Sequence, residues 1–85
     1  VTARMDFALG DVYDRKSQFD FAIKQYQAGL KLDPQFARGH YRLGLDLEKH
    51  SKDFKAASAS FKRAHELNSG KDKQIEEKWK SLTAH

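Results

Sequence analysis

The feature that most constrains this chain is an internal repeat. Four residue pairs are separated by 34 positions: Arg4 and Arg38, Phe7 and Tyr41, Leu9 and Leu43, and Gly10 and Gly44. Five more recur one position later: Phe19 and Phe54, Ala22 and Ala57, Tyr26 and Phe61, Gly29 and Ala64, and Leu32 and Leu67. The extra residue falls in the polar stretch 50–53, where an insertion costs little. A unit of this length cannot bury an apolar face alone and has to stack on its neighbours.

Each unit is predicted to be a pair of helices, because apolar residues recur at helical spacing in each half. Ser17, with Asp20 three residues later, is expected to cap the second helix in a near capping box. Asp53 is expected to cap the fourth helix, and Pro34 follows the end of the second.

Small residues predict where the helices approach each other. We expect each unit's glycine to lie opposite an alanine of the second helix, with a large aromatic residue beside them. These triplets are Gly10, Ala22 and Tyr26, and Gly44, Ala57 and Phe61. A glycine inside a helix costs about 1 kcal/mol relative to alanine, so close packing has to offset that cost. Five aromatic residues are expected in the core: Tyr13, Phe19, Tyr26, Phe54 and Phe61.

These residues resemble the tetratricopeptide repeat over positions 3–68. The first unit carries the pattern at Leu9, Gly10, Tyr13, Ala22, Tyr26 and Pro34, and the second at Leu43, Gly44, Ala57, Phe61 and Ala64. The chain departs from the family pattern at Asp6, His40, Leu47 and Ser69. The resemblance implies an all-α fold, a right-handed α-solenoid of antiparallel helix pairs, here with about five helices.

The expected organisation is a single domain, 1–85, with repeats at 3–34 and 37–69 and a capping helix at 71–83. In that helix Ile75, Trp79 and Leu82 form one apolar stripe, and Trp79 is expected to be buried beneath it. Ion pairs are expected within the helix, Lys73–Glu77 and Glu76–Lys80. Asp14 and Arg15 recur as Glu48 and Lys49, and these residues are expected to form weak surface pairs between the repeats. Because stacks of this kind need about three repeats, self-association or neighbouring repeats of a longer array are expected to complete the core.

No catalytic residue, metal site or cofactor is expected, and the chain is predicted not to be an enzyme. His65 and Glu66 begin like a zinc-protease motif, but Ser69 stands where the second histidine is required. Gly70 and Lys71 lack the glycine and the hydroxyl residue of a phosphate-binding loop. Without cysteine there is no disulfide framework and no thiolate ligand.

The resemblance implies that the first helices of successive repeats line a concave groove that binds a peptide or an extended segment. The expected groove residues are Arg4, Phe7, Ala8, Asp11, Asp14, Arg38, Tyr41, Arg42, Leu45 and Lys49. Phe7 and Tyr41 are expected to be partly exposed there.

Arg38 and Arg42 resemble the basic pair with which chaperone-binding members hold a C-terminal carboxylate. Asp11 and Ala8 stand where that clamp has asparagine. Three interpretations stay open: a carboxylate clamp, a different site for an acidic peptide, or a solvated arginine face.

The expected function is a protein–protein interaction scaffold whose partner is another protein. The first rival is self-assembly, and the second is nucleic-acid binding through the basic middle of the chain. The net charge is +4, but acidic residues are interleaved in that region, so nucleic acid is not the expected partner. No apolar run approaches bilayer length, and no membrane insertion is expected. Val1 in place of methionine is compatible with an excised fragment or a processed product. The compartment is undetermined, with the cytoplasm as the default for a soluble chain.

Overall fold

A computed structural model describes residues 2–83, and over this range the chain is all-α. Its five α-helices are α1 (Ala3–Arg15), α2 (Phe19–Leu32), α3 (Ala37–Asp46), α4 (Phe54–Asn68) and α5 (Lys73–Thr83). A π-helical turn, Leu47–Ser51, continues α3. The prediction of an all-α fold with five helices is confirmed.

The helices pack as two hairpins followed by a single helix. α1 packs mainly against α2, and α3 mainly against α4, while α3 also contacts α2 and α5 contacts α4. Tyr26 and Phe61 are the largest fully buried side chains. They lie in one apolar cluster that runs through both hairpins, which is the continuous core that stacked repeats require.

Each hairpin is closed by an aromatic ring that lies directly over a glycine. A Cβ atom added at Gly10 would lie 2.5 Å from Cε1 of Tyr26, and one added at Gly44 would lie 2.9 Å from Cε1 of Phe61. The two aromatic rings therefore fill the space beside the glycines, as predicted.

The helix ends follow the predicted caps only in part. Asp53 caps α4 as expected, since its carboxylate accepts a hydrogen bond from the Ala56 backbone N–H at 3.1 Å. Ser17 does not cap α2, which begins at Phe19 after Gln18. Ser17 has a φ of 61°, and its N–H bonds to the carbonyl of Asp14. It therefore ends α1, as a left-handed residue typically ends a helix.

The residue that makes the second unit longer is accommodated by the π-turn. A π-turn holds one more residue than an α-turn. Lys52 then leaves the helix with a φ of 54°, and the N–H of Asp53 bonds back to the carbonyl of Leu47 at 3.1 Å. The core position of Leu47 is kept, because the insertion is absorbed at the end of the helix.

The five predicted core aromatics divide by exposure. Tyr26 and Phe61 are buried, Tyr13 and Phe19 are half-buried, and Phe54 is 61% exposed. The prediction for Phe54 was wrong. As the first residue of α4 it lies at the end of the hairpin. Phe19 stacks on His50 instead of entering the core.

α5 is anchored by one buried residue, Ile75, which is 2% exposed. Trp79 is half-buried and stacks on the His65 ring at 5.2 Å, so the prediction that it is buried was wrong.

Acidic residues from the predicted ion pairs contact other partners instead. Glu76 contacts His65 and Asn68, and Lys78 contacts Glu48 at 2.8 Å. Asp14 accepts from Tyr26. Glu76, which was predicted to pair along α5, thus contacts α4, and Glu48, which was predicted to pair between the repeats, contacts α5 instead.

Candidate functional site

Two adjoining cavities lie between α1 and α3, and we refer to them together as the groove. Their volumes are about 260 Å³ and about 240 Å³. The first is lined by Arg4, Phe7, Asp33 and Phe36. The second is lined by Arg4, Phe7, Ala8, Asp11, Tyr26, Phe36, Arg38, Gly39 and Arg42. The structure therefore brings Arg4, Phe7, Ala8, Asp11, Arg38 and Arg42 together, as expected, and adds Phe36.

An aromatic pair forms the apolar part of the groove. The rings of Phe7 and Phe36 lie 4.6 Å apart at an interplanar angle of 45°. Phe7 rests against Gly29 and Gly39, where added Cβ atoms would lie within 2.8 Å of its ring. Phe36, the residue before α3, is 39% exposed. The glycines thus seat one ring, and the second ring stays open to a ligand.

Arg38 lines the groove, but its guanidinium is already held by residues at the start of α5 and just before it. Its Nη1 lies 2.6 Å from the Asp72 carboxylate, and its Nη2 donates to Gln74 Oε1 at 3.0 Å. Its guanidinium also lies 5.6 Å from the centre of the Tyr41 ring. Arg38 therefore already has a carboxylate partner within the chain.

Arg42 remains closer to the groove and is held less tightly. Its Nε lies 4.0 Å from Asp11 Oδ1, and both side chains are 41% exposed. The two arginines thus have separate acidic neighbours, Asp72 just before α5 and Asp11 on α1, so each guanidinium already has a carboxylate near it within the chain.

Four other expected groove residues do not line these cavities: Asp14, Tyr41, Leu45 and Lys49. Asp14 accepts a hydrogen bond from the Tyr26 hydroxyl instead. Tyr41 is half-buried, as predicted, and its ring packs 6.2 Å from that of Phe61. Leu45 packs against the core cluster. Lys49 is exposed on the π-turn.

A buried polar network lies beneath the groove, where α1, α2 and α3 meet. The Tyr26 hydroxyl lies 2.7 Å from Asp11 Oδ1 and 2.7 Å from Asp14 Oδ2, and it donates its proton to one of them at a time. Burial, followed by these hydrogen bonds, raises the pKa of Tyr26 far above its ordinary value. Tyr26 therefore stays neutral and acts as a donor.

Asp46 completes this network from α3. Asp14 Oδ1 and Asp46 Oδ2 are buried without a donor among the described residues. Burial, the hydrogen bond to Asp14 and the charge of Asp14 raise the pKa of Asp46 to about 8, against the opposing effect of Arg42 and Lys49. The raised pKa favours the protonated form of Asp46, and that form can donate to Asp14. The network is thus a structural contact between helices.

The network does not form a metal centre. Between residues 2 and 83, no three His, Cys, Asp or Glu side chains are arranged to hold a metal ion.

The sequence analysis missed Phe36 and Asp46. Phe36 lies in the loop between the repeats, outside any helical stripe, and Pro34 two residues before it is the only local signal. Asp46 had a clearer signal, because at the repeat interval it takes the place of the apolar Val12. A carboxyl at an apolar position indicates a buried hydrogen-bond partner.

Comparison with known proteins identifies the repeat. A family model described as TPR repeat matches residues 10–51, from the middle of α1 to the end of the π-turn. No curated protein has a sequence that matches the chain. Among residues 2–83, none of the helices has the length and apolar character that crossing a bilayer requires. The match and the helical hairpins show that the chain belongs to the tetratricopeptide repeat family, whose members are typically non-enzymatic scaffolds for protein–protein interaction.

Proposed function

We propose that the groove binds a short extended segment of a partner protein, and that this segment carries an apolar or aromatic side chain close to a single carboxylate. The observation that supports this most strongly is the partly exposed Phe7–Phe36 pair, which lies between Arg4 and Arg42 in a concave surface.

The aromatic pair suits an apolar anchor. Phe36 is exposed enough to be covered by a ligand, and Phe7 is held in place by the two glycines beneath it. Aromatic residues in a concave, preformed site contribute strongly to binding, because little conformational freedom is lost when a ligand covers them.

The charged residues of the groove favour a bound segment that carries one carboxylate over one that carries several. Arg42 has only a long contact with Asp11, so its guanidinium can donate two parallel hydrogen bonds to an incoming carboxylate. Asp11 lies in the same wall, so a densely acidic segment would be repelled. Arg38 contributes less, because Asp72 and Gln74 already occupy its guanidinium. This arrangement favours an acidic site of a different kind over the carboxylate clamp.

The proposal includes the division of the chain into repeats at 3–34 and 37–69 and a capping helix at 71–83. Under this division each repeat supplies one wall of the groove. Since Arg38 contacts Asp72, the capping helix would also position the second wall.

The experiment is a selection of random peptides displayed on phage against the full chain, followed by fluorescence anisotropy with the selected peptide. We expect a consensus with one acidic residue near an apolar or aromatic one. Arg42→Glu should weaken binding by at least about 10-fold, since a charge-assisted contact becomes a repulsion. Phe36→Ala should weaken it by a similar factor.

Arg63→Glu is the matched control, because Arg63 is exposed on α4 and lines neither groove cavity. Equal weakening by Arg42→Glu and Arg63→Glu would show that only overall charge matters. Peptides without an acidic residue would contradict the role of Arg42. Salt-dependent binding of a nucleic-acid duplex that Arg42→Glu abolishes would favour the nucleic-acid rival.

A further inference from the structure

The outer face of α1 is apolar and uncovered within the described part of the chain. It consists of Met5, Leu9 and Val12, which are 55%, 44% and 41% exposed. Their spacing of four and three residues places them on one stripe of the helix. Exposed apolar residues that are contiguous in this way mark an interaction surface.

The repeat shows what such a face does in this fold. At the repeat interval the three residues correspond to Gly39, Leu43 and Asp46 of α3. All three of those are buried. Gly39 lies against Phe7 and Leu30 of the preceding hairpin, so this side of a first helix is a packing side.

The apolar surface continues from α1 onto α2. Phe21 is 54% exposed, and its ring lies 5.4 Å from that of Tyr13, the residue after Val12. A partner that covers Leu9 can therefore extend its contact onto the second helix of the hairpin.

The chain's other end is a poor partner for this face. In a head-to-tail stack, α1 of one copy would follow α5 of another. The exposed residues of α5 are polar or charged: Lys73, Gln74, Glu77, Lys80, Ser81 and Thr83. Burying the outer face of α1 against them would leave charges without water. The outer face of α1 on a second copy is an apolar counterpart within the chain itself.

We propose that the outer face of α1 forms the interface of a symmetric dimer of this chain, in which the two α1 helices run antiparallel and cross at Leu9. A two-fold contact uses the same patch on both copies. In a parallel pair, Arg15 and Lys16 of the two copies would lie side by side, whereas the antiparallel pair separates them and aligns the helix dipoles favourably.

The first test is the mass of the full chain in solution, measured by sedimentation over a concentration series. We expect a reversible monomer–dimer equilibrium. Leu9→Lys should weaken dimerisation by at least about 10-fold, because the leucine of each copy leaves the interface. Phe54→Lys is the matched control and should leave the dimer unchanged, since Phe54 is an exposed apolar residue (61%) at the start of α4 and is not part of the α1 stripe.

The second test uses the absence of cysteine from the chain to obtain single-cysteine variants. Oxidation should link Leu9→Cys copies to each other but should not link Val12→Cys copies. In the antiparallel pair, the two copies of residue 12 are separated by about 9 Å along the helix axis, beyond the reach of a disulfide.

Three results would overturn the proposal. A monomer at all concentrations would exclude the interface, and a mass that grows beyond the dimer would show head-to-tail stacking. Efficient linking of Val12→Cys copies would show a parallel pair. The proposal stands apart from the proposed function, because Leu9 lines neither groove cavity. A monomeric Leu9→Lys chain is therefore expected to retain peptide binding.

Discussion

The two hairpins are closed in the same way, but the helices that follow them are attached in different ways. α3 meets the first hairpin through the buried network of Tyr26, Asp14 and Asp46. α5 meets the second hairpin through Ile75 and a set of partly exposed polar contacts, including Lys78 with Glu48. We call the contact between the first hairpin and α3 the first joint, and the contact between the second hairpin and α5 the second joint. The same repeat is thus compatible with two kinds of joint.

The difference in burial has consequences for stability. Buried polar groups are costly when a partner is lost, because water cannot replace it. Partly exposed ion pairs contribute little and are screened by salt. We therefore expect the first joint to weaken as pH rises towards 8, and the second to weaken in high salt and in acid.

The largest expected effect on stability tests whether the contact between an aromatic ring and a glycine closes both hairpins in the same way. Gly10→Ala should lower the free energy of unfolding by about 2 kcal/mol, because the new methyl group meets the Tyr26 ring, which its hydroxyl hydrogen bonds hold in place. Gly44→Ala should cost less, about 1 kcal/mol, since the contact is longer and Phe61 has no hydroxyl. Urea unfolding followed by circular dichroism measures both.

Ser58→Ala on the exposed side of α4 is the control for these glycine variants, and no loss is expected. A Gly10→Ala chain as stable as wild type would show that the ring is free to move.

The next effect separates the joints by pH. The pKa of Asp46 is raised from 3.8 to about 8, so between these values the folded chain holds a proton that the unfolded chain has released. The contribution of Asp46 to the free energy of unfolding should therefore be fully present below pH 4 and should be lost as pH rises to about 8.

Asp46→Asn should remove this pH dependence and raise stability at pH 8 by about 1.5 kcal/mol, because the amide donates to Asp14 without titrating. Urea unfolding between pH 5 and pH 9 measures it. Asp20→Asn, at an exposed position, is the control. A steep pH dependence that persists in Asp46→Asn would contradict the assignment.

A smaller effect is expected at the second joint. Lys78→Met removes the contact with Glu48 and should cost less than about 1 kcal/mol, most of which should disappear in 1 M NaCl. The same salt should leave the effect of Asp46→Asn unchanged. Lys62→Met, exposed on α4, is the control. A loss for Lys78→Met that is independent of salt would mean that this joint also depends on buried packing.

The smallest effect concerns the attachment of α5 in acid. Hydrogen bonds from Asn68 and His65 hold the pKa of Glu76 below its usual value. Its contribution is therefore present above that usual value and lost as pH falls through the lowered pKa. We expect the amides of α5 to exchange faster in acid while those of α2 stay protected, and Glu76→Gln to show fast exchange at neutral pH. Equal exchange in both helices would contradict a separate release of α5.

Much of the fold follows from the sequence, because the apolar stripes are local patterns and the repeat interval can be read directly along the chain. The five helices and the cap at Asp53 were predicted from residues a few positions apart. Ser17 was misplaced because a serine before a helix and a serine after one look alike in sequence. Only the left-handed φ of Ser17 distinguishes them.

The groove could be predicted less completely, because its character depends on pairs far apart in the chain. The spacing of Arg38 and Arg42 placed both on one helix stripe, but it could not show that Asp72, in the loop before α5, contacts Arg38. Phe36 lies in a loop, where no periodic pattern indicates which way a side chain faces. The repeat thus predicted which helices form the walls of the groove, but not which residues contact its charged side chains.

The measurement that tests the central claim most directly is a ¹⁵N-resolved NMR titration of the full chain with the selected peptide. Binding in the groove predicts shifts at residues 4–11 and 36–42, with little change in α4, and loss of these shifts in Phe36→Ala. Shifts confined to α4, α5 or the outer face of α1 would contradict it and would place the binding surface elsewhere.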